Sequence, residues 1–235
     1  MTIRQLAGIA ALALTLPVQA ASLDANEQRM VEWIDAHAED AIALLEETVN
    51  ISSGTMNHEG VRKVGAVMQR ELDALGLETE WIDLPPEMQR AGHLFARKTS
   101  GTSKKFVLIG HLDTVFEADD DFQAFQRDGD TATGPGVEDM KGGNVVIVYA
   151  LKALQEIGAL DDIPVVVAYT GEEEKYGVPL SISRKDLVEA GEWADIGLGF
   201  ESAMTFDGHD WGTIARRSSS EWLLTVEGKQ AHSSG

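Results

Sequence analysis

Several short apolar runs in this chain stop abruptly at an ionisable residue. Phe106-Val-Leu-Ile-Gly110 leads into His111 and, two residues on, Asp113. Val165-Val-Val-Ala-Tyr169 is soon followed by the triplet Glu172-Glu173-Glu174, and Ile196-Gly-Leu-Gly-Phe200 ends at Glu201. An unbroken apolar run of this kind predicts a strand covered on both faces, as in a parallel sheet flanked by helices. A charge at the end of a buried strand is costly unless something compensates it. Several such charges on one rim point to a bound cation. Imidazole and carboxylate donors in a chain without cysteine suit zinc, with manganese or cobalt as second choices.

Between the runs lie stretches with helical periodicity. Asp24 to Asn50 reads as one helix, capped by Asp24 or Asn26, with Met30, Val31, Ile34, Ala38, Ile42 and Leu45 at helical spacing. Val61 to Leu75 is a second, ended by Gly76. Gly143 to Ile157 and Ser181 to Ala190 are two more. Strands are predicted at Glu80–Leu84, Leu94–Arg97, Phe106–Ile109, Ile163–Tyr169 and Asp195–Phe200, and Asp119 to Asp130 reads as a solvated loop. This alternation predicts a three-layer α/β/α domain. Sites in such folds lie beyond the carboxyl ends of the strands, where His111, Glu173, Glu174 and Glu201 fall. Glu221 to Val226 alternates instead, with Trp222, Leu224 and Val226 on one face, which suits a half-exposed antiparallel sheet. The change of pattern places a domain boundary near Arg216–Ser219.

The charge balance is acidic, 39 Asp and Glu against 19 Lys and Arg, for a net charge of −20. That argues against nucleic acid or an anionic membrane as partner, because both need a basic face. The amino terminus carries Arg4, an apolar stretch from Leu6 to Val18 and small residues up to Ala20. This is the pattern of a secretory signal cleaved after Ala20, and it is short for a membrane span. The mature protein is therefore expected to be exported, periplasmic or secreted, and free of the membrane.

Each ionisable motif admits more than one chemistry. His111 and Asp113 project the same way if strand geometry continues, so Asp113 can accept the imidazole's other N–H and set its tautomer. Alone, the pair is equally a strand-end histidine bonded to backbone. Asp139 sits in Gly134-Pro-Gly-Val-Glu-Asp-Met-Lys-Gly-Gly143. Glycines there let backbone approach an ion, and the carboxylate can bridge two cations. It can equally cap the helix that follows. In Glu172-Glu173-Glu174, one glutamate as ligand and a neighbour as general base is a coherent arrangement. An acidic loop in water is the other.

Taken together, Gly-His-Leu-Asp-Thr, Gly-Pro-Gly-Val-Glu-Asp-Met-Lys-Gly-Gly, Thr-Gly-Glu-Glu-Glu and Gly-Lys-Gln-Ala-His-Ser resemble a known set. It is that of the dinuclear-zinc exopeptidases and amide hydrolases, which include glutamate carboxypeptidase, aminoacylase and succinyl-diaminopimelate desuccinylase. The resemblance runs from about Leu23 onward. It implies that His111 binds one metal, Asp139 bridges two and Asp113 orients His111. Glu201 joins His111 on its metal. Glu173 is then the general base and Glu174 the ligand of the other metal. The other register makes Glu172 the base and Glu173 the ligand. His232, in Gly228-Lys-Gln-Ala-His232, matches a lid-domain histidine that binds substrate or polarises its carbonyl, across the subunit interface in dimeric members.

The resemblance also implies two Zn2+ per complete site, with Co2+ or Mn2+ as options, and a peptide or N-acyl amino acid substrate. Residues 1–20 would be the signal peptide, 21–215 the N-terminal part of a zinc-exopeptidase-like catalytic domain, and 216–235 the start of an inserted α+β lid through which homodimers can form. The family's final metal-binding histidine lies beyond the lid, so the chain is expected to be truncated at Gly235. A remnant that binds metal or peptide without turnover is the alternative function. His37, His58, His93 and His209 are read as surface or loop histidines.

Overall fold

A computed structural model describes residues 22–215 and 224–228. Asp24 opens the first helix, α1 (Ala25–Ala36), through a capping box: its carboxylate accepts from the Asn26 and Glu27 amides while Glu27 reaches back to the Asp24 amide. The single helix expected to Asn50 is two. His37 leaves helical geometry, stacks on Trp33 at a ring-centroid distance of 4.0 Å and contacts the Trp33 carbonyl through Nδ1 at 2.7 Å. α2 (Ala38–Val49) then follows. α1 buries none of its residues fully, and Val31 and Ile34 are exposed. α3 (His58–Ala74) is amphipathic, with Val61, Val64, Val67, Met68 and Leu72 buried. Asn57 caps it through the Gly60 amide, and Gly76 leaves it at a positive φ.

The central sheet has five strands in the order β1-β2-β6-β3-β7. They are β1 (Glu78–Ile82), β2 (His93–Lys98), β3 (Phe106–His111), β6 (Val165–Thr170) and β7 (Ile196–Gly199). β6, β3 and β7 are parallel, while β2 runs antiparallel to β6 and to β1. Between β3 and β6 come a small hairpin, β4 (Gln126–Asp128) with β5 (Thr131–Thr133), and the long helix α4 (Gly142–Glu156). The helix expected over Ser181–Ala190 is interrupted at Arg184, giving α5 (Leu180–Ser183) and α6 (Lys185–Trp193).

Both faces of the sheet are covered, as the continuous apolar runs require. Leu94, Ala96, Leu108, Val165, Val167 and Tyr169 pack with α2, α3 and α4 on one side. Phe95, Val107, Val166 and Ala168 pack with Leu187, Ala190 and Trp193 of α6 on the other. The three layers predicted from the sequence are present, one of them thin. A second exposed hairpin, β8 (Met204–Phe206) with β9 (His209–Trp211), follows β7 and carries no clear sequence signal. Leu224 and Val226 lie outside any strand and are exposed, unlike the strand expected over Glu221–Val226. The segment read as a signal, the proposed boundary near Arg216–Ser219 and His232 lie outside the described residues. Among the described residues no helix is long and apolar enough to cross a membrane.

Candidate metal centre

Parallel pairing aligns the carboxyl ends of three neighbouring strands. In register, His111 of β3 lies beside Thr170 of β6, and Ile109 of β3 beside Gly199 of β7. The chain leaving β6 therefore delivers Glu172–Glu174 to one side of His111, and the chain leaving β7 delivers Glu201 to the other. Asp139 arrives from the loop ahead of α4. That loop packs tightly: a Cβ on Gly143 would lie 1.9 Å from the Phe200 carbonyl oxygen, so only glycine lets α4 start this close to Glu201. The Asp139–Met140 peptide is cis. Asp139 makes no cap hydrogen bond to α4, so the cap reading of that residue is set aside.

His111 is 1% exposed. Its Nδ1 faces the Asp113 carbonyl at 3.0 Å and Asp113 Oδ1 at 3.4 Å. Its Nε2 points outward, 2.9 Å from Asp139 Oδ1 and 3.7 Å from Glu201 Oε1. His111, Asp139 and Glu201 each place one donor atom within 4.8 Å of the other two. Glu174 is outside that trio but borders it. Burial, then the Asp139 carboxylate, push its pKa up to about 7. Burial likewise raises Glu201, helped by Asp139 and Glu173. Burial opposes charge on His111, yet Asp113, Glu201 and Glu173 outweigh it and raise its pKa to about 9. The rim is thus a cluster of like charges around one buried imidazole, the electrostatic condition a divalent cation relieves.

Asp113 is fully buried and serves more partners than the sequence suggested. Its carboxylate accepts from Thr55 Oγ1 at 2.6 Å and from the amides of Glu173 and Glu174 at 3.0 and 3.1 Å. Burial would raise its pKa, but His111, Thr55 and the Glu173 amide hold it below the ordinary carboxylate range. One residue therefore meets Nδ1 of His111, most closely through its backbone carbonyl, while its carboxylate pins the acidic loop.

The three consecutive glutamates go different ways. Glu172 is fully buried and turned inward, accepting from the Gly177 amide and from Arg184 Nη1. Glu173 is exposed and Glu174 half-buried at the rim. One expectation about the other histidines is corrected. His93 is a buried β2 residue, 1% exposed, not a surface or loop residue. Its Nδ1 accepts from the Gly171 amide, and its Nε2 donates to the Ser183 carbonyl at 2.9 Å. Burial lowers its pKa, consistent with a neutral ring. His37 and His58 are half-buried at helix ends, and His209 is exposed.

Lys141, also missed as a structural element, is completely buried two residues after Asp139. Its Nζ donates to the carbonyls of Thr48 and Ile51 at 3.0 Å, tying the Asp139 loop to the carboxyl end of α2. Neither Lys141 nor Thr55 nor Arg184 stands in a spacing that sequence periodicity could flag.

Fold and donor set define a class: an α/β domain with a candidate metal centre on the carboxyl rim of its parallel strands. Residues 107–216 match the model of peptidase family M20/M25/M40. It is 32% identical over 193 residues to carboxypeptidase G2 of Pseudomonas sp. (strain RS-16), covering 81% of this chain and 45% of that protein. It is 30% identical over 201 residues to succinyl-diaminopimelate desuccinylase of Gluconobacter oxydans, covering 82% of this chain and 50% of that protein. The chain thus spans about half the length of the curated relatives it matches. The fold is similar to that of human carnosine dipeptidase 1, with a TM-score of 0.63, 21% identity, and coverage of 75% of this chain and 41% of that one.

Proposed function

We propose that this chain belongs to a metal-dependent hydrolase that cleaves the amide bond of a peptide or an N-acyl amino acid. The observation that carries the reading is the convergence of His111, Asp139 and Glu201 beside an acidic loop that presents Glu173. The donor set fits zinc: an imidazole nitrogen with its tautomer held from behind by Asp113, and carboxylate oxygens. His111 and Glu201 would hold one ion, Glu174 the other, and Asp139 both. A divalent cation held there supplies Lewis acidity, polarising the scissile carbonyl and acidifying water. Glu173 takes a proton from the attacking water and returns it to the leaving nitrogen. Asp113, bonded to the Glu173 amide, keeps that carboxylate at the rim.

The substrate class draws on the relatives: one is named a carboxypeptidase and the other a succinyl-diaminopimelate desuccinylase. His232 is proposed to contact substrate, and the segment from 216 onward to begin a lid able to mediate dimers. Export rests on the Met1–Ala20 pattern. The second reading, a metal-binding domain without turnover, draws on a different fact. Among the described residues three donors converge closely, enough for one ion. Glu173→Gln separates the two readings. It should cut hydrolysis of peptide or N-acyl amino acid substrates by about 10²–10⁴-fold with zinc content unchanged. Undiminished turnover would refute Glu173 as the base, and no turnover by the parent chain with one bound zinc would favour the second reading.

A further inference from the structure

The acidic loop is held from below by a small circuit of buried polar groups. Glu172 has both carboxylate oxygens occupied, one by the Gly177 amide and one by Arg184. Ser183, the neighbour of Arg184, donates from Oγ to the Gly177 carbonyl at 2.9 Å. The Ser183 carbonyl in turn receives the Nε2 proton of His93, whose Nδ1 takes the Gly171 amide. The circuit closes on both ends of the segment 171–177. The two glutamates at the rim sit inside that segment, and their amides are fixed from above by Asp113.

We infer that Arg184 is a positioning residue of the metal centre: by anchoring Glu172 inside the protein it sets the register that presents Glu173 and Glu174 at the rim. Beyond Glu172 the chain bends at Glu173 and turns at Glu174–Lys175, so with Glu172 drawn inward Glu173 is exposed and Glu174 half-buried at the rim. Without the guanidinium, Glu172 is a buried carboxylate with one partner removed, and the cheapest relief is to swing into solvent. That motion rotates the whole triplet and carries Glu174 away from Asp139. The inference deepens the metal-hydrolase reading and rests on it.

The test uses Zn2+ alone as probe and the full chain as protein, with affinity read by competition against a chromophoric chelator. Arg184→Met should weaken Zn2+ by about tenfold, in the range of lost partners around metal ligands. Glu174→Gln should weaken it similarly, and the combined variant no further, because both changes remove the same carboxylate from the site. With Glu201→Gln the losses should instead multiply. Arg184→Lys, which keeps the charge, should recover most of the affinity. The pair Glu172→Met with Arg184→Met leaves no charge to expel, a replacement buried ion pairs commonly tolerate, and should keep wild-type affinity even if Arg184→Met alone does not fold. Wild-type affinity in a folded Arg184→Met variant would overturn the inference, as would a tenfold loss in the double-Met variant or losses that multiply with Glu174→Gln. Failure of the wild-type chain to bind Zn2+ would instead sink the metal reading, and this inference with it.

Discussion

Zinc binding by this chain should expel more than one proton at neutral pH. Before metal arrives, the His111 imidazole is held by carboxylates that raise its pKa to about 9. At pH 7 only about one molecule in a hundred then has the free Nε2 lone pair that a cation needs. Displacing that proton costs about 3 kcal/mol, two pKa units at about 1.4 kcal/mol each. Glu174, with a pKa of about 7, is half protonated at that pH and releases about half a proton more. Because both pKa values are raised, the protons stay on at low pH and the penalty shrinks as pH climbs. Between pH 6 and 8 affinity should therefore increase about a hundredfold through His111 and up to about tenfold further through Glu174. Calorimetric titration in buffers of different ionisation enthalpy counts the protons directly, and about 1.5 should appear at pH 7. His111→Gln should remove about one of them. A proton count near zero, or an affinity flat from pH 6 to 8, would mean that the imidazole is not the ligand proposed for the site.

Other outcomes follow from the buried polar groups. Thr55→Val deprives the Asp113 carboxylate of its hydroxyl donor and should destabilise the fold by about 1–3 kcal/mol in urea unfolding, while Thr55→Ser recovers most of it. Equal stability of the valine and wild-type proteins would show that the hydroxyl contributes nothing. Burial pushes the Lys141 pKa down to about 7, well below its unfolded value. Between pH 7 and about 10 the unfolded chain then holds the extra proton, so this lysine makes stability rise with pH, by up to ~1.4 kcal/mol per unit. That contribution is lost as pH falls towards 7. Lys141→Met should flatten the profile, and parallel profiles for the two proteins would rule the effect out.

The sheet was legible because its strands are buried on both faces. Phe106–Ile109 and Val165–Tyr169 have no polar interruption, so period and length alone place them. The rim was legible for the same reason: ionisable residues at the ends of such strands have nowhere to go but the carboxyl edge. Legibility failed where a polar group is buried in company. His93 reads as a loop residue because nothing local announces that Ser183 and Gly171 will satisfy both ring nitrogens. Arg184 looks like a surface residue of a helix, yet it breaks that helix and pairs with Glu172. His37 ends α1 by stacking on Trp33, a contact that periodicity counts as one more helical turn. For His93 and Arg184 the deciding partner is a backbone group or a distant side chain, and for His37 a ring one turn back, none of which hydrophobic spacing encodes.

The same buried groups explain how the fold tolerates a rim of mutually repelling acids. Asp113 adds a further negative charge there, which by Coulomb repulsion alone would worsen the site. It does not act alone: the Thr55 hydroxyl and the Glu173 and Glu174 amides all donate to it, and His111 faces it. Those donors belong to three separate segments, so a single desolvated carboxylate fixes their relative positions. Glu172 plays the matching part from within, its charge met by Arg184 and the Gly177 amide. The acids whose charge is answered by protein groups are the buried ones, Asp113 and Glu172. Those at the rim, Asp139, Glu174 and Glu201, have only the single imidazole of His111 to share among them. A surface that merely carried surplus acid would not divide its carboxylates in that way. A surface built to receive a cation would leave some unmatched at one point and tie down the rest.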